Sequence, residues 1–131
     1  ILVLKNEDFG YIYRGHNLEN NYIFTKAIFK GKPGKKEEIK ERMLQISEHR
    51  NNTQPIRERT SGSTFKNPSF GEKKAWELID QAGCRGLQIG GAKVSEKHCN
   101  FFLNSEFATA KDIEDLGEEV RRRIKETANI D

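Results

Sequence analysis

Two segments of the sequence have the periodicity of helices with a single apolar face, and they limit the folds open to the chain. The first is predicted over residues 72–82 and ends at Gly83, a residue suited to a left-handed helix cap. The second is predicted over residues 110–127, with Thr109 as its N-cap. Because a one-faced helix needs a surface to bury that face against, we expect both helices to cover one sheet. The residues on the two apolar faces are Ala75, Trp76, Leu78, Ile79, Ala82, Ile113, Leu116, Val120 and Ile124.

Two extended segments between these helices are predicted to form that sheet. Residues 87–89 form the first strand, and the two glycines that follow it are suited to a tight turn. The second strand is predicted over residues 94–104, where His98 and Asn100 would share one face. For these two side chains, structural hydrogen bonding and ligand contact both remain open. From about residue 53 onwards we therefore predict an α+β fold, with a small mixed sheet covered by the two helices.

The first 52 residues are predicted to form a separate and less complete part. Residues 22–29 are rich in residues that favour strands and are predicted to form one, and residues 35–49 are predicted to form an amphipathic helix. The apolar residues of that helix, interpreted as core, are Ile39, Met43 and Ile46. Residues 51–60 have the polar composition of a connector, so we place a domain boundary between residues 52 and 53. We expect the earlier part to expose apolar edges whose partners lie outside this sequence.

The composition predicts a thin core and no nucleic-acid partner. Hydrophobic residues make up 34% of the 131 residues and charged residues 33%, so some of the surface is expected to meet another segment. The chain starts at Ile1 rather than Met, and we interpret it as part of a longer protein. The net charge of +3 is small, and lysine and arginine do not cluster as they do in proteins dedicated to nucleic acid.

The cysteines, histidines and apolar runs exclude several other classes of protein. Cys84 and Cys99 are fifteen positions apart and have no metal-ligand spacing, so neither a structural zinc site nor a disulfide framework is predicted. His49 has no second ligand at helical spacing, and no metal site is expected. No apolar run approaches the roughly 20 residues that span a bilayer, so no membrane partner and a reducing, cytoplasmic location are predicted.

One polar loop, residues 61–68, concentrates groups that suit an anionic ligand, and we call it the Ser63 loop. It places hydroxyl groups, an ammonium group and an amide around one apolar side chain, Phe65. Gly62 allows close backbone approach, and Pro68 disfavours helical dihedrals at Asn67, so Ser63 is predicted to lie in an extended or turn conformation. The alternative is an ordinary surface loop whose polar side chains cap their own backbone.

Three strings of the sequence identify a family resemblance: GSTFKNP in this loop, AWELIDQAGCRG after it and IGGAKVSEKHCNF further on. Together they resemble the flavin-dependent UDP-N-acetylenolpyruvoylglucosamine reductases of bacterial cell-wall synthesis. The similarity begins near Phe9, passes through Tyr13-Arg14 and Gln54-Pro55, and continues to about Ile130 with the spacing between blocks kept. Its extent makes it much more specific than a single motif.

The resemblance implies roles for five residues. Ser63 corresponds to the proton donor of the family and Arg14 to an active-site arginine. Asn67 corresponds to a residue on the diphosphate of the nucleotide sugar, and Lys66 and Tyr13 are expected to bind substrate beside it. The sequence departs from the family in two places: His16 stands where a serine is common, and the catalytic glutamate near the family's C-terminus has no counterpart here.

The resemblance also implies an activity, cofactors and partners. FAD and NADPH would be the cofactors, and a UDP-sugar would be reduced at its enolpyruvyl ether to UDP-N-acetylmuramate, which serves peptidoglycan synthesis, cell shape and cell division. Residues 1–52 would be the end of a flavin-binding domain, and residues 53–131 a substrate-binding domain without its last strand. The partner would be the missing N-terminal flavin-binding segment, and the isolated chain is expected to be inactive. The alternative is a non-catalytic module that binds a phosphosugar or RNA.

Overall fold

The computed structural model describes residues 2–19, 21–69 and 73–130, and the chain divides into two compact units, Ile1–Gly34 and Lys35–Asp131. The second unit has an α+β fold with three helices and one sheet. Its helices and strands, in chain order, are α1 (Lys36–Thr53), α2 (Ala75–Gln81), β1 (Gln88–Ile89), β2 (Ala92–Val94), β3 (Phe102–Asn104) and α3 (Ala110–Ala128). Among the described residues, no helix is both long enough and apolar enough to cross a bilayer.

The sheet is antiparallel, in the order β1-β2-β3, so the prediction of a mixed sheet is wrong. Gln88 pairs with Lys93 across the first pair of strands, and Val94 pairs with Phe102 across the second. Each pair is joined by a short turn, whereas a parallel pair needs a crossover of about a dozen residues or more. Connection length therefore decides the strand direction.

The single strand predicted over residues 94–104 is also wrong, because residues 95–101 form a turn between β2 and β3. The buried hydroxyl oxygen of Ser95 accepts hydrogen bonds from the backbone N–H groups of Lys97 (3.2 Å) and His98 (3.3 Å). A serine that bonds to the backbone two or three residues ahead offers an alternative to the strand ladder. This local bonding ends β2.

Helix α3 packs against β1 and β2, as predicted, whereas α2 packs mainly against α3, and the core lies where these elements meet. Ile79, Val94, Leu116 and Val120 are fully buried at its centre. Burying one such side chain stabilises the fold by about 1.5–3 kcal/mol. Residues at the edges of the predicted apolar faces are only partly buried, since Trp76 keeps 38% of its surface exposed and Ile113 keeps 40%.

The ends of these helices follow local sequence chemistry. The Thr109 side chain accepts a hydrogen bond from the backbone N–H of Asp112 (3.1 Å), which confirms Thr109 as the N-cap of α3. Gly83, after α2, has the predicted left-handed conformation, with φ of 66°. Helix α2 begins at Ala75, and residue 72, where its start was predicted, lies outside the described residues.

Helix α1 forms where a helix was predicted, but it does not bury the predicted face. It extends to Thr53, so the first residues of the predicted connector are helical, and none of its residues is buried. Ile39, Met43 and Ile46 are 48%, 66% and 51% exposed, so the interpretation of Met43 as a core residue is wrong. No neighbouring element covers this stripe in the described part of the chain.

Residues 2–34, in their described part, contain a short 3-10 helix (Asn6–Phe9) and no strand over residues 22–29, so that predicted strand is wrong. A strand requires a hydrogen-bonded partner, and the described residues supply none to this segment. The apolar side chains are exposed as expected, with Ile23 at 89% and Phe29 at 92%.

Candidate functional site

The Ser63 loop is held against the edge of the sheet by backbone hydrogen bonds. Ser63 forms an antiparallel bridge with Phe101, and the backbone N–H of Thr64 donates to the carbonyl of Asn100 (2.8 Å). Ser63 is therefore extended rather than helical, as the sequence predicted. Its side chain faces outward as an exposed residue, with no hydrogen-bond partner in the part of the chain that is described.

Phe65 anchors the loop in the hydrophobic core. Its ring packs on the buried cluster and meets the Phe102 ring edge-on, with centroids 5.8 Å apart. Edge-to-face pairs of this kind contribute about 0.5–1.5 kcal/mol beyond the area that they bury. The loop thus has an apolar side turned to the core and a polar side turned to solvent.

The buried side chain of Asn100 binds the backbone of Phe65 through both ends of its amide. Its Oδ1 accepts from the Phe65 N–H (2.9 Å), and its Nδ2 donates to the Phe65 carbonyl (2.9 Å). Asn100 is only 5% exposed. This pairing joins residues 35 positions apart in sequence and gives Asn100 a structural hydrogen-bonding role.

Gly62 has a backbone conformation that would be strained for any other residue. Its φ is +95°, and a Cβ atom built there would meet nothing within 4 Å. The positive φ, rather than crowding, therefore favours glycine. The open space beside Gly62 leaves room for a ligand to approach the backbone next to Ser63.

Asn67 and Lys66 lie at the end of the loop that leads to α2. The Asn67 Oδ1 accepts from the backbone N–H of Ala75 (3.1 Å), so this side chain caps the first turn of the helix. This bond reaches a helix eight positions away rather than the loop's own backbone, so it is not the local capping of the ordinary-loop alternative. The Asn67 Nδ2 makes no hydrogen bond to any described residue and can donate to a ligand. Lys66 is exposed and forms no ion pair with any described residue.

An ion pair between Arg85 and Asp80 braces the turn at residues 95–101. The Arg85 guanidinium donates two hydrogen bonds to the Asp80 carboxylate, at 2.8 and 2.7 Å, and a third to the carbonyl of Glu96. The hydrogen bonds from Arg85 lower the pKa of Asp80 below its usual range. Arg85 thereby joins the end of α2 to the turn that carries Asn100.

His98 lies in the same turn, so the prediction that it shares a strand face with Asn100 is wrong. Its Nδ1 accepts from the backbone N–H of Asn100 (3.3 Å), which places the proton of the neutral ring on Nε2. The ring packs 4.8 Å from the Phe101 ring and 6.2 Å from Trp76, centroid to centroid. Burial lowers the pKa of His98, so the neutral form is favoured.

The two cysteines are buried, free thiols that do not supply a nucleophile to the site. Burial raises the pKa of Cys99 to about 11 and also raises the pKa of Cys84. The reactive form of cysteine is the thiolate, which these pKa values disfavour near neutral pH. Within residues 2–19, 21–69 and 73–130, no group of three or more metal-binding side chains comes together.

Tyr13 and Arg14 lie in the other compact unit, at the tip of a turn closed by backbone hydrogen bonds between Ile12 and Gly15. Arg14 has a positive φ of 54°, a conformation that costs a non-glycine residue on the order of 1 kcal/mol. Its guanidinium carbon lies 5.7 Å from the centre of the Tyr13 ring, within cation–π range. Both side chains are exposed, and their convergence with Ser63 stays a prediction.

Comparison with known proteins gives a consistent family match. Residues 54–131 match the model of the family described as UDP-N-acetylenolpyruvoylglucosamine reductase, C-terminal domain. A relative of that name from Parvibaculum lavamentivorans is 57% identical over 128 residues, which is 98% of this chain and 41% of the relative. Another from Anaplasma marginale is 57% identical over 124 residues, which is 95% of this chain and 41% of the relative.

A solved structure agrees with these sequence matches. The crystal structure of UDP-N-acetylenolpyruvylglucosamine reductase from Thermus caldophilus is similar to this chain with a TM-score of 0.75 and 36% sequence identity. The similarity covers 95% of this chain and 44% of that structure. The chain thus spans about two fifths of the length of the relatives that it matches.

Proposed function

Because this chain belongs to the UDP-N-acetylenolpyruvoylglucosamine reductase family, we propose that it contributes the proton donor and substrate-binding groups of such an enzyme. The substrate would be UDP-N-acetylglucosamine-enolpyruvate, and the product UDP-N-acetylmuramate, for peptidoglycan synthesis in the cytoplasm. Residues 53–131 would bind the substrate, and residues 1–52 would belong to the flavin-binding domain.

The observation that best supports this proposal is that Ser63 is exposed on a loop whose backbone is held in place. The residue is exposed beside open space at Gly62, while the backbone on its far side is held by Asn100 and by the Phe65 anchor. A serine hydroxyl is a weak acid, so it can act as a proton donor only when it is held close to the atom that it protonates. In the proposed reaction that atom is the enolpyruvyl carbon that carries the ether oxygen, and the proton comes from the Ser63 Oγ.

Arg14 would stabilise the negative charge that the reaction develops. Addition of hydride to the terminal carbon of the enolpyruvyl group spreads charge over the neighbouring carbon and the carboxylate. A guanidinium can bind a carboxylate through two parallel hydrogen bonds, and the exposed Arg14 side chain has these donors available. Its left-handed backbone supports a functional role, because strained residues concentrate at ligand sites.

The diphosphate of the nucleotide sugar would lie near the other end of the Ser63 loop. The Asn67 amide donates through Nδ2 while its Oδ1 is occupied by Ala75, which orients the amide toward an anion. The Lys66 ammonium adds a mobile positive charge next to it, and Tyr13 would contact the substrate beside Arg14.

FAD does not fit this chain by itself. None of the described residues among 2–34 is buried, so this part encloses no cradle for a flavin ring. When bound in the full-length enzyme, reduced flavin would supply the hydride, and NADPH would reduce it again. We therefore expect the isolated 131-residue chain to show no substrate-dependent NADPH oxidation, and measurable turnover would contradict this expectation.

The decisive experiment replaces Ser63 by alanine in the full-length enzyme that carries this chain. Ser63→Ala should lower kcat for enolpyruvyl reduction by about 10²–10⁴-fold, because the proton donor is lost. The rate of flavin reduction by NADPH should not change, since the hydroxyl acts only on the substrate. Ser69→Ala, which removes an exposed hydroxyl just beyond the loop, is the matched control and should leave both rates unchanged. Equal losses in both rates for Ser63→Ala would show a structural role instead.

A non-catalytic RNA-binding role has less support. Arg121, Arg122 and Arg123 each pair with a glutamate on α3 itself, at 2.5–3.0 Å. Their charges are therefore largely balanced along the helix rather than gathered into a basic face. RNA binding that weakens with salt, without affinity for a UDP-sugar, would favour the alternative.

A further inference from the structure

We propose that Asn100 is a positioning residue for Ser63, and that it controls the rate of proton transfer without contacting the substrate. The inference rests on the proposed function of Ser63 as proton donor. It concerns a residue in the turn between β2 and β3, outside the Ser63 loop itself.

Asn100 makes three hydrogen bonds to the two residues that follow Ser63. Its side-chain amide holds the N–H and the carbonyl of Phe65, both at 2.9 Å, and its backbone carbonyl holds the N–H of Thr64 at 2.8 Å. A buried asparagine that bonds to both the backbone N–H and the backbone carbonyl of one residue satisfies the groups that a neighbouring strand would otherwise pair with. The two residues after Ser63 are thus fixed by a single side chain and its backbone.

These bonds restrict the backbone that follows Ser63, whereas the backbone before Ser63 is freer. Before Ser63, Gly62 has a positive φ and has no described atom within 4 Å of the place that a Cβ would occupy, and its N–H donates to the Thr60 hydroxyl (3.2 Å). Glycine has the largest backbone freedom of any residue, so this side of the loop does not constrain Ser63 strongly. The orientation of the Ser63 side chain therefore depends on the bridge between Ser63 and Phe101 and on the bonds after Ser63, which Asn100 supplies.

The turn that carries Asn100 is itself held by several hydrogen bonds. Its backbone N–H donates to His98 Nδ1, and Arg85 ties the carbonyl of Glu96 to Asp80 on α2. The Lys97 ammonium also donates to the carbonyl of Asn51 at the end of α1 (2.9 Å). A positioning group is effective only if its own support is rigid, and two helices, α1 and α2, support this one.

The chemical consequence is a large effect on kcat from a residue that touches no reacting atom. Displacing a catalytic group by about 1 Å lowers the rate by roughly 10²-fold. Asn100→Asp keeps the size of the side chain but places a carboxylate oxygen against the Phe65 carbonyl, which repels it. We expect kcat of the full-length enzyme to fall about 10–100-fold in Asn100→Asp, with KM for the UDP-sugar changed by less than about 3-fold.

The matched control is Asn104→Ala, at the end of β3. The Asn104 Oδ1 also accepts a backbone hydrogen bond, from Ala108 (2.9 Å), but this bond holds the segment before α3 rather than the Ser63 loop. Asn104→Ala should lower the Tm without lowering kcat. If the control lowers kcat as much as Asn100→Asp does, the effect is one of general stability and the inference fails.

A second measurement does not depend on the folding of a variant. Amide hydrogen exchange in the unsubstituted enzyme should show Thr64 and Phe65 N–H groups protected, in contrast to Ser61 and Lys66. Fast exchange at Phe65 would overturn the inference, as would an unchanged kcat in Asn100→Asp or in Asn100→Ala. If the unsubstituted enzyme reduces no enolpyruvyl substrate, the proposed function fails, and the chemical role of Asn100 fails with it. An active enzyme with unprotected Thr64 and Phe65 would overturn the positioning role alone.

Discussion

Helices α1 and α3 are nearly equal in length, with 18 and 19 residues, but only α3 buries side chains. Leu116 and Val120 of α3 are fully buried against the sheet, whereas Met43 of α1 is 66% exposed. Both helices have some apolar residues at helical spacing, but only in α3 do the apolar residues gather on one well-defined face. The comparison shows that an apolar stripe predicts a helix, while burial of the stripe depends on a second layer that the same sequence must also supply.

The largest expected difference between the two helices is in how much an alanine substitution lowers the free energy of unfolding. Leu116→Ala should lower the free energy of unfolding by about 2–5 kcal/mol, because it leaves a cavity in a fully packed core. Met43→Ala should change it by no more than about 0.5 kcal/mol, since that side chain is largely in water. Urea denaturation followed by circular dichroism measures both. Equal losses would show that α1 is packed in solution, and the contrast between the helices would be wrong.

A smaller difference is expected at the helix N-termini. Thr109 accepts a hydrogen bond from Asp112 at the start of α3, whereas the cap residue of α1, Lys35, makes no side-chain cap bond. Thr109→Ala should therefore lower the free energy of unfolding by about 1 kcal/mol. Lys35→Ala, the corresponding change on α1, should have almost no effect in the same denaturation experiment. A matching loss in Lys35→Ala would show that cap bonds do not distinguish the two helices.

The smallest expected effect is on acid stability, through Glu119 in the centre of α3. Hydrogen bonds from Arg122 and Arg123 lower the pKa of Glu119 to about 2. Since the folded pKa lies below the unfolded value, the stabilisation is present above about pH 4.5 and is lost as the pH falls toward 2. Glu119→Gln should weaken the dependence of the urea midpoint on pH in this range. Glu114→Gln, which removes an exposed carboxylate of the same helix, is the control and should leave the dependence unchanged.

Some of the fold could be predicted because its causes are local. The capping of α3 by Thr109 and the left-handed Gly83 depend on residues within a few positions of each other. The Ser63 loop could be located for the same reason, since its glycine and polar side chains are contiguous. The limits of the turn at residues 95–101 were missed, although Ser95 carries a local signal, because apolar residues on both sides resemble one long strand.

By itself, the sequence determined the positions of the helices, the identity of the Ser63 loop and the family to which the chain belongs. Only the tertiary structure decided that Asn100, 35 positions from Phe65, holds that loop, and that Met43 of α1 is exposed while Leu116 and Val120 of α3 are buried. The physical reason is the range of the interactions. Helix periodicity, caps and turns depend on neighbours along the chain, whereas a buried amide and a covered apolar face depend on which distant segments the fold brings together.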